Sequence, residues 1–273
     1  MMIATTSQLA DWQKAGHWSE AATAWCNRQA INGFPGVCRV HRAEIMKLRG
    51  SFSEAEEEAR VATIELASFN VGVMAAAYKE LGDIRVKLGD LDAAEDAFRQ
   101  ASEMGVMTQP GHALLLLQRG RPQAAATALR RALAHPDLSL LDRAKLLPAR
   151  IEVALLMGEL DVGRAAAEEL DKIATVHDVT ALRATADGAA AAVAFADCHY
   201  DDAIKAALHA RELFDSIDLS YESARVTMLL GRIHQAKGDT ALAREELNTA
   251  LSVLEAIGAM PDATTARELL AAV

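Results

Sequence analysis

The sequence predicts an all-α chain built from about seven repeated helical hairpins, and three observations predict it. Alanine supplies 57 of the 273 residues and the aromatics only 12. Alanine has the best helix propensity and lets helix backbones approach closely, whereas sheets favour aromatic residues. Next, seven turn signals recur: AGHWSEAA, RGSFSEAE, LGDLDAAE, RGRPQAAA, MGELDVGR, DCHYDDAI and KGDTALAR. Their anchors are Gly16, Gly50, Gly89, Gly120, Gly158, Cys198 and Gly238, at spacings of 34, 39, 31, 38, 40 and 40 residues. Self-similarity at such a period marks stacked supersecondary units. Finally, small residues keep fixed offsets from the anchors. Five positions after them stand Ala21, Ala55, Ala94, Ala125, Gly163, Ala203 and Ala243. Seven positions before stand Leu9, Ala43, Gly82, Ala113, Ile151, Ala191 and Gly231.

Each unit reads as helix A, a turn and helix B. A glycine closing helix A takes the left-handed conformation that a Cβ disfavours, and Ser19, Ser53 and Asp90 are candidate caps of the B helices that follow. The second unit is preceded by a loop, Asn32 to Gly36, and its Glu54 to Glu58 run places carboxylates in the first turns of a B helix, where the dipole favours them. The third unit, residues 75–105, is the most regular. A second loop, Met104 to His112, leads into the fourth. Units four to six depart at Pro122, Gly163 and Cys198. After the seventh unit, Pro261 and Asp262 open a short capping helix over 262–272. Since one hairpin cannot bury its apolar face alone, stacking makes the core, and residues 1–273 read as one domain.

Charge and motifs narrow the function. The net charge of −10 disfavours a generic nucleic-acid groove, which needs a positive field. No run approaches the apolar length of a membrane span. The N-terminus shows no secretion signal, and three cysteines without a CxxC pair favour a reducing compartment, so a cytoplasmic location is expected. Walker, GxSxG, HExxH and GxGxxG motifs are absent, and no enzyme is expected. Cys26, Cys38 and His41 lack the ligand count and tight pairs of a zinc site. No metal and no cofactor are predicted.

Leu81-Gly82, Gly89-Asp90, Ala94, Phe98 and Ala101 resemble the tetratricopeptide repeat (TPR). The resemblance implies a right-handed α-α superhelix whose A helices line a concave face, with protein or peptide binding as its usual work. WCNRQAINGFPGVCRVHRAEIMKLRG (25–50), AYKELGDIRVKLGDLDAAEDAF and QPGHALLLLQRGR further resemble the TPR region of bacterial LuxR-type regulators linked to ATPase or cyclase modules. Neither flanking module is in this sequence, so what carries over is a scaffold or sensor segment.

On that resemblance the groove candidates are Glu44, Lys47, Lys79, Asp83, Lys87, Leu114, Leu117, Leu155, Phe195, Arg225, Arg232 and Gln235. They describe basic points at both ends of an apolar middle, suited to a peptide with acidic ends and apolar anchors. A chaperone-type carboxylate clamp is not among them, because Asp83 stands four residues after Lys79 where that clamp needs Asn. The expected function is a non-catalytic protein–protein interaction scaffold or adaptor in regulation. The alternative is a small-molecule inducer sensor, which would show as a closed pocket with polar groups converging among leucines. The alanine-rich final helix serves either to cap the array or to pair with a second copy, so a homo-oligomer stays open.

Overall fold

The computed structural model describes residues 34–67 and 70–273. These residues form thirteen α-helices and no strand. The A helices are α1 (Phe34–Leu48), α3 (Val71–Leu88), α5 (Gly111–Gln118), α7 (Leu140–Leu156), α9 (Thr180–Ala196) and α11 (Ser220–Lys237). Each is followed by its B helix: α2 (Phe52–Leu66), α4 (Leu91–Glu103), α6 (Pro122–Leu133), α8 (Leu160–His177), α10 (Tyr200–Ser216) and α12 (Thr240–Ala256). The last element is α13 (Met260–Ala271), with Pro261 in its first turn. It starts two residues earlier than the sequence predicts. The hairpin anchored at Gly16, with Ser19 and Cys26, lies outside the described residues.

The predicted turns share one geometry. Gly50, Gly89, Gly120, Gly158 and Gly238 have φ between 69° and 89°, and Cys198 takes the same slot at 60°. In all six, the amide after the anchor donates to the carbonyl five residues back, from Ser51 to Met46, Asp90 to Arg85, Arg121 to Leu116, Glu159 to Ala154, His199 to Ala194 and Asp239 to His234, at 2.8–3.0 Å. That bond closes helix A by satisfying a carbonyl the helix leaves free. Side-chain caps then start some of the helices. Asp90 accepts from the Ala93 amide, Asn70 from Val73 and Ser139 from Asp142. Ser53 is not a cap. Helix α2 begins at Phe52, so the cap position falls on Ser51, whose hydroxyl makes no capping bond.

The small-residue columns are the contact seams. Ala55, Ala94, Ala125, Ala203 and Ala243 are fully buried, as are Ala43, Ala113 and Ala191 on the A helices. Gly82 and Gly231 extend that column because nothing larger fits: a Cβ on Gly231 would lie 2.6 Å from Leu247 Cγ and 3.2 Å from the Ala243 carbonyl oxygen. The segment read as a loop at 32–36 is partly helix. Gly36 is there for close packing, since a Cβ would meet Leu66 Cγ at 2.8 Å, and a proline in the first turn is compatible with a helix start.

The chain divides into two compact units at Leu115/Leu116. In the first, Val40 packs with Ala62, Leu66 and Ala77, and Val86 with Ala94, Phe98 and Leu115. In the second, Leu147, Ile151, Leu170, Ile173, Leu182 and Val193 centre a core shared by α7, α8 and α9. Burying each such side chain stabilises by about 1.5–3 kcal/mol before entropy is counted. Neighbouring hairpins are also tied near their turns by ion pairs, Glu56 with Arg85, Asp197 with Arg164 and Asp201 with Lys237, at 2.6–2.9 Å.

Candidate functional site: the outer face of the A helices

Core packing uses the A-helix faces that meet the B helices. The predicted groove residues are divided between the flanks of those faces and the sides turned away from them. In the first unit they include a compact charge cluster. Lys47 from α1 bonds Glu80 of α3 and lies 3.6 Å from Asp83, while Lys79 bonds Asp83 at 2.7 Å and lies 3.8 Å from Glu80. All four side chains are largely buried. Burial alone would pull both ammonium pKa values down, but the carboxylates outweigh it and hold both above the ordinary lysine value. Burial likewise works to raise Asp83, yet Lys79 and Lys47 keep its carboxyl below the usual range. Lys87 adds to that positive potential, and Glu44 adds negative potential at Lys47.

These lysines therefore differ from the free basic points the sequence suggests. Their charge is met inside the chain, by Glu80 as well as Asp83. The second oxygen of Asp83 is buried without a hydrogen bond and packs on Gly111, where a Cβ would overlap it. Leu114 rests against the Val86–Phe98 core, and Leu117 is half-buried farther along α5. Val40 and Val86, on the same two helices as the lysines, are core.

In the second unit, Arg225 of α11 donates to Glu152 of α7 at 2.9 Å, reaching past the intervening A helix. Its guanidinium also lies 3.8 Å from Asp262 of α13 and 5.9 Å from the Tyr221 ring. The Tyr221 hydroxyl donates to Asp262 at 2.9 Å. Glu152 and the other carboxylates hold the Arg225 pKa well above its ordinary value, against burial. Gln235 donates to the Ala272 carbonyl and so holds the end of the chain. Leu155 turns inward, packing over Gly163 and the α7–α9 core. Phe195 lies under the Arg232 guanidinium at 5.2 Å and beside the Tyr200 ring at 6.1 Å.

Glu152, Tyr221, Asp262 and Glu80 were not among the predicted site residues. Glu152 had a signal: it stands six positions before its anchor, in the column of Glu44, Asp83 and Arg232. Elsewhere, Cys198, His199, Tyr200, Asp201, Asp202 and Lys237 line an open depression of about 340 Å³ at the turn edge. The neighbouring Cys198 sulfur raises the pKa of the Tyr200 hydroxyl. His41 and His234 each lie 3.7 Å from a carboxylate, beyond hydrogen-bond reach. Among the described residues no group of three metal-ligating side chains converges, and no helix is long and apolar enough to cross a membrane.

Residues 75–104 match the tetratricopeptide repeat family. The chain is TPR-like. That match falls on the unit the sequence marks as most regular. No curated protein matches the chain at a significant level. Among solved structures, a chain of the APC/C hetero-tetramer Cut9–Hcn1 aligns over 98% of this TPR-like chain at 16% identity and a TM-score of 0.62. This chain spans 47% of that one. A tetratricopeptide repeat protein from Parabacteroides merdae ATCC 43184 aligns over 85% of this chain and 96% of its own, at 16% identity and a TM-score of 0.44. BtubC (BKLC) from P. vanneervenii aligns over 92% and 91%, at 14% identity and 0.37. The fold likeness rests on the first of these.

Proposed function

We propose that the chain is a non-catalytic protein–protein interaction scaffold that takes a protein or peptide partner on the outer face of its A helices. The observation that carries this reading is a division of labour. The small-residue columns use one side of each described A helix for the core, and the remaining faces carry charged and aromatic groups on successive hairpins. Helical repeats expose such faces as continuous binding surfaces. The finer reading places the scaffold in the cytoplasm, within bacterial transcriptional regulation, as the second sequence resemblance implies.

The test is capture from a lysate by wild type and by two variants matched in chemistry. Leu156→Glu alters the A-helix face, where Leu156 is 66% exposed; Leu242→Glu alters a B helix, where Leu242 is 47% exposed. The expected result is a protein retained by wild type and Leu242→Glu and lost by Leu156→Glu. Loss with Leu242→Glu alone, or with neither, refutes the assignment to this face.

A further inference from the structure

Arg232 is held in place by an aromatic ring and has no counter-charge among the described residues. It projects from α11 on the same face as Arg225, seven residues earlier, since a seven-residue step returns to one side of a helix. The two are treated differently. Arg225 receives Glu152 from α7 and Asp262 from α13. Arg232 receives only the ring of Phe195, and no carboxylate among the described residues lies within ion-pair distance of it. The contrast has weight in a chain where carboxylates outnumber cations by 38 to 28. Arg232 is exposed to solvent along one side. The protein surrounding it lowers its pKa, whereas ion-paired arginines such as Arg143, Arg183 and Arg225 are shifted upward.

The contact with Phe195 explains how such a group stays ordered. A ring beneath a guanidinium attracts its charge while leaving the N–H edge free. That edge is a fork matched to a carboxylate, which it binds through two parallel hydrogen bonds. Phe195 is in turn braced by Tyr200.

We propose that Arg232, stacked on Phe195, is a carboxylate subsite that reads an aspartate or glutamate side chain in a partner peptide. The assignment rests on the partner-binding reading above and adds to it the chemistry recognised and the residue that recognises it. The uncompensated charge lies here, at an arginine with no carboxylate partner among the described residues, and the Lys47–Lys79 cluster is neutralised by its own carboxylates.

The experiment uses the full chain and three arrays of acetylated, amidated decapeptides of mixed sequence, differing only in a fixed central pair: Leu-Glu, Leu-Gln or Leu-Lys. Wild type is expected to retain Leu-Glu peptides about tenfold better than Leu-Gln, the scale of one charge-assisted pair. Arg232→Gln, exposed and expected to fold as wild type by circular dichroism, should bring that ratio to about one. Arg232→Lys should keep part of it. Equal binding of Leu-Glu and Leu-Gln by wild type overturns the subsite while leaving a peptide-binding face intact. A preference that persists in Arg232→Gln also overturns it, and Arg225→Gln then tests the neighbouring arginine. Binding of no peptide, together with failed capture in the lysate experiment, removes the underlying reading.

Discussion

Gly82→Ala probes the register of the whole array with one methyl group. Gly82 sits in the middle of α3, where alanine is better than glycine by about 1 kcal/mol on propensity alone. Packing opposes that gain. A Cβ there would lie 2.5, 2.6 and 2.9 Å from three carbons of the Phe98 ring, against an optimum of roughly 3.5–4.0 Å. The ring would have to retreat by about 1 Å. It has no room to do so: Gly111 already stands against it, with a Cβ there 2.7 Å from Phe98 Cζ, and His112 meets it edge-on at 5.9 Å. Overpacking of this kind costs about 1–3 kcal/mol, here toward the upper end. The net expectation is a loss of about 1–2 kcal/mol, or about 2–8 °C in melting temperature for a chain of this size. Urea titration followed by far-ultraviolet circular dichroism reads the change at constant slope. Phe98→Leu should relieve the clash, so the double variant should be less damaged than the sum of the singles by about 1 kcal/mol. A Gly82→Ala variant as stable as wild type, or additive with Phe98→Leu, would refute the wedged ring.

Further outcomes follow from the same seams and charges. Ala243→Leu, at a fully buried A–B contact, should lower stability by about 1–3 kcal/mol in urea. Cys198→Gly should raise it by about 1 kcal/mol, because φ of 60° strains a residue with a Cβ; an unchanged midpoint would show that the Tyr200 contact offsets the strain. Asp83 has its pKa depressed in the folded state, so its contribution is present above its unfolded value near ~4 and is lost as pH falls through the folded one. Asp83→Asn should therefore cost about 3 kcal/mol at neutral pH. The gap to wild type should narrow below about pH 4. Urea titrations at three pH values check it, and a gap independent of pH would contradict the ion pair.

The fold was legible because its signals are local. A left-handed turn needs glycine or a tolerant substitute, and a close helix contact needs a small residue, so Gly89, Ala94, Gly231 and even Cys198 announce their places by identity and spacing. The A-helix face was legible only in part. The offsets that nominate the groove include the exposed Arg232, but they treat Lys79 and Lys47, ten and three positions before their anchors, as open cations. Whether a lysine is open depends on carboxylates 33 residues away, such as Glu80 for Lys47, and on how adjacent hairpins align. Glu152 reaching Arg225 across 73 positions is beyond any local pattern. Ser53 and residues 34–36 were misplaced for a smaller reason: serine, proline and glycine serve both turns and helix starts, and neighbouring bulk decides which.

The most direct test of the central claim is photo-crosslinking in cells, with a photoreactive residue placed in turn at Leu156, Lys87 and Leu242. The account predicts a discrete adduct with a second protein from the A-helix positions Leu156 or Lys87, and none from Leu242 on α12. An adduct formed only from Leu242, or from all three alike, would contradict it.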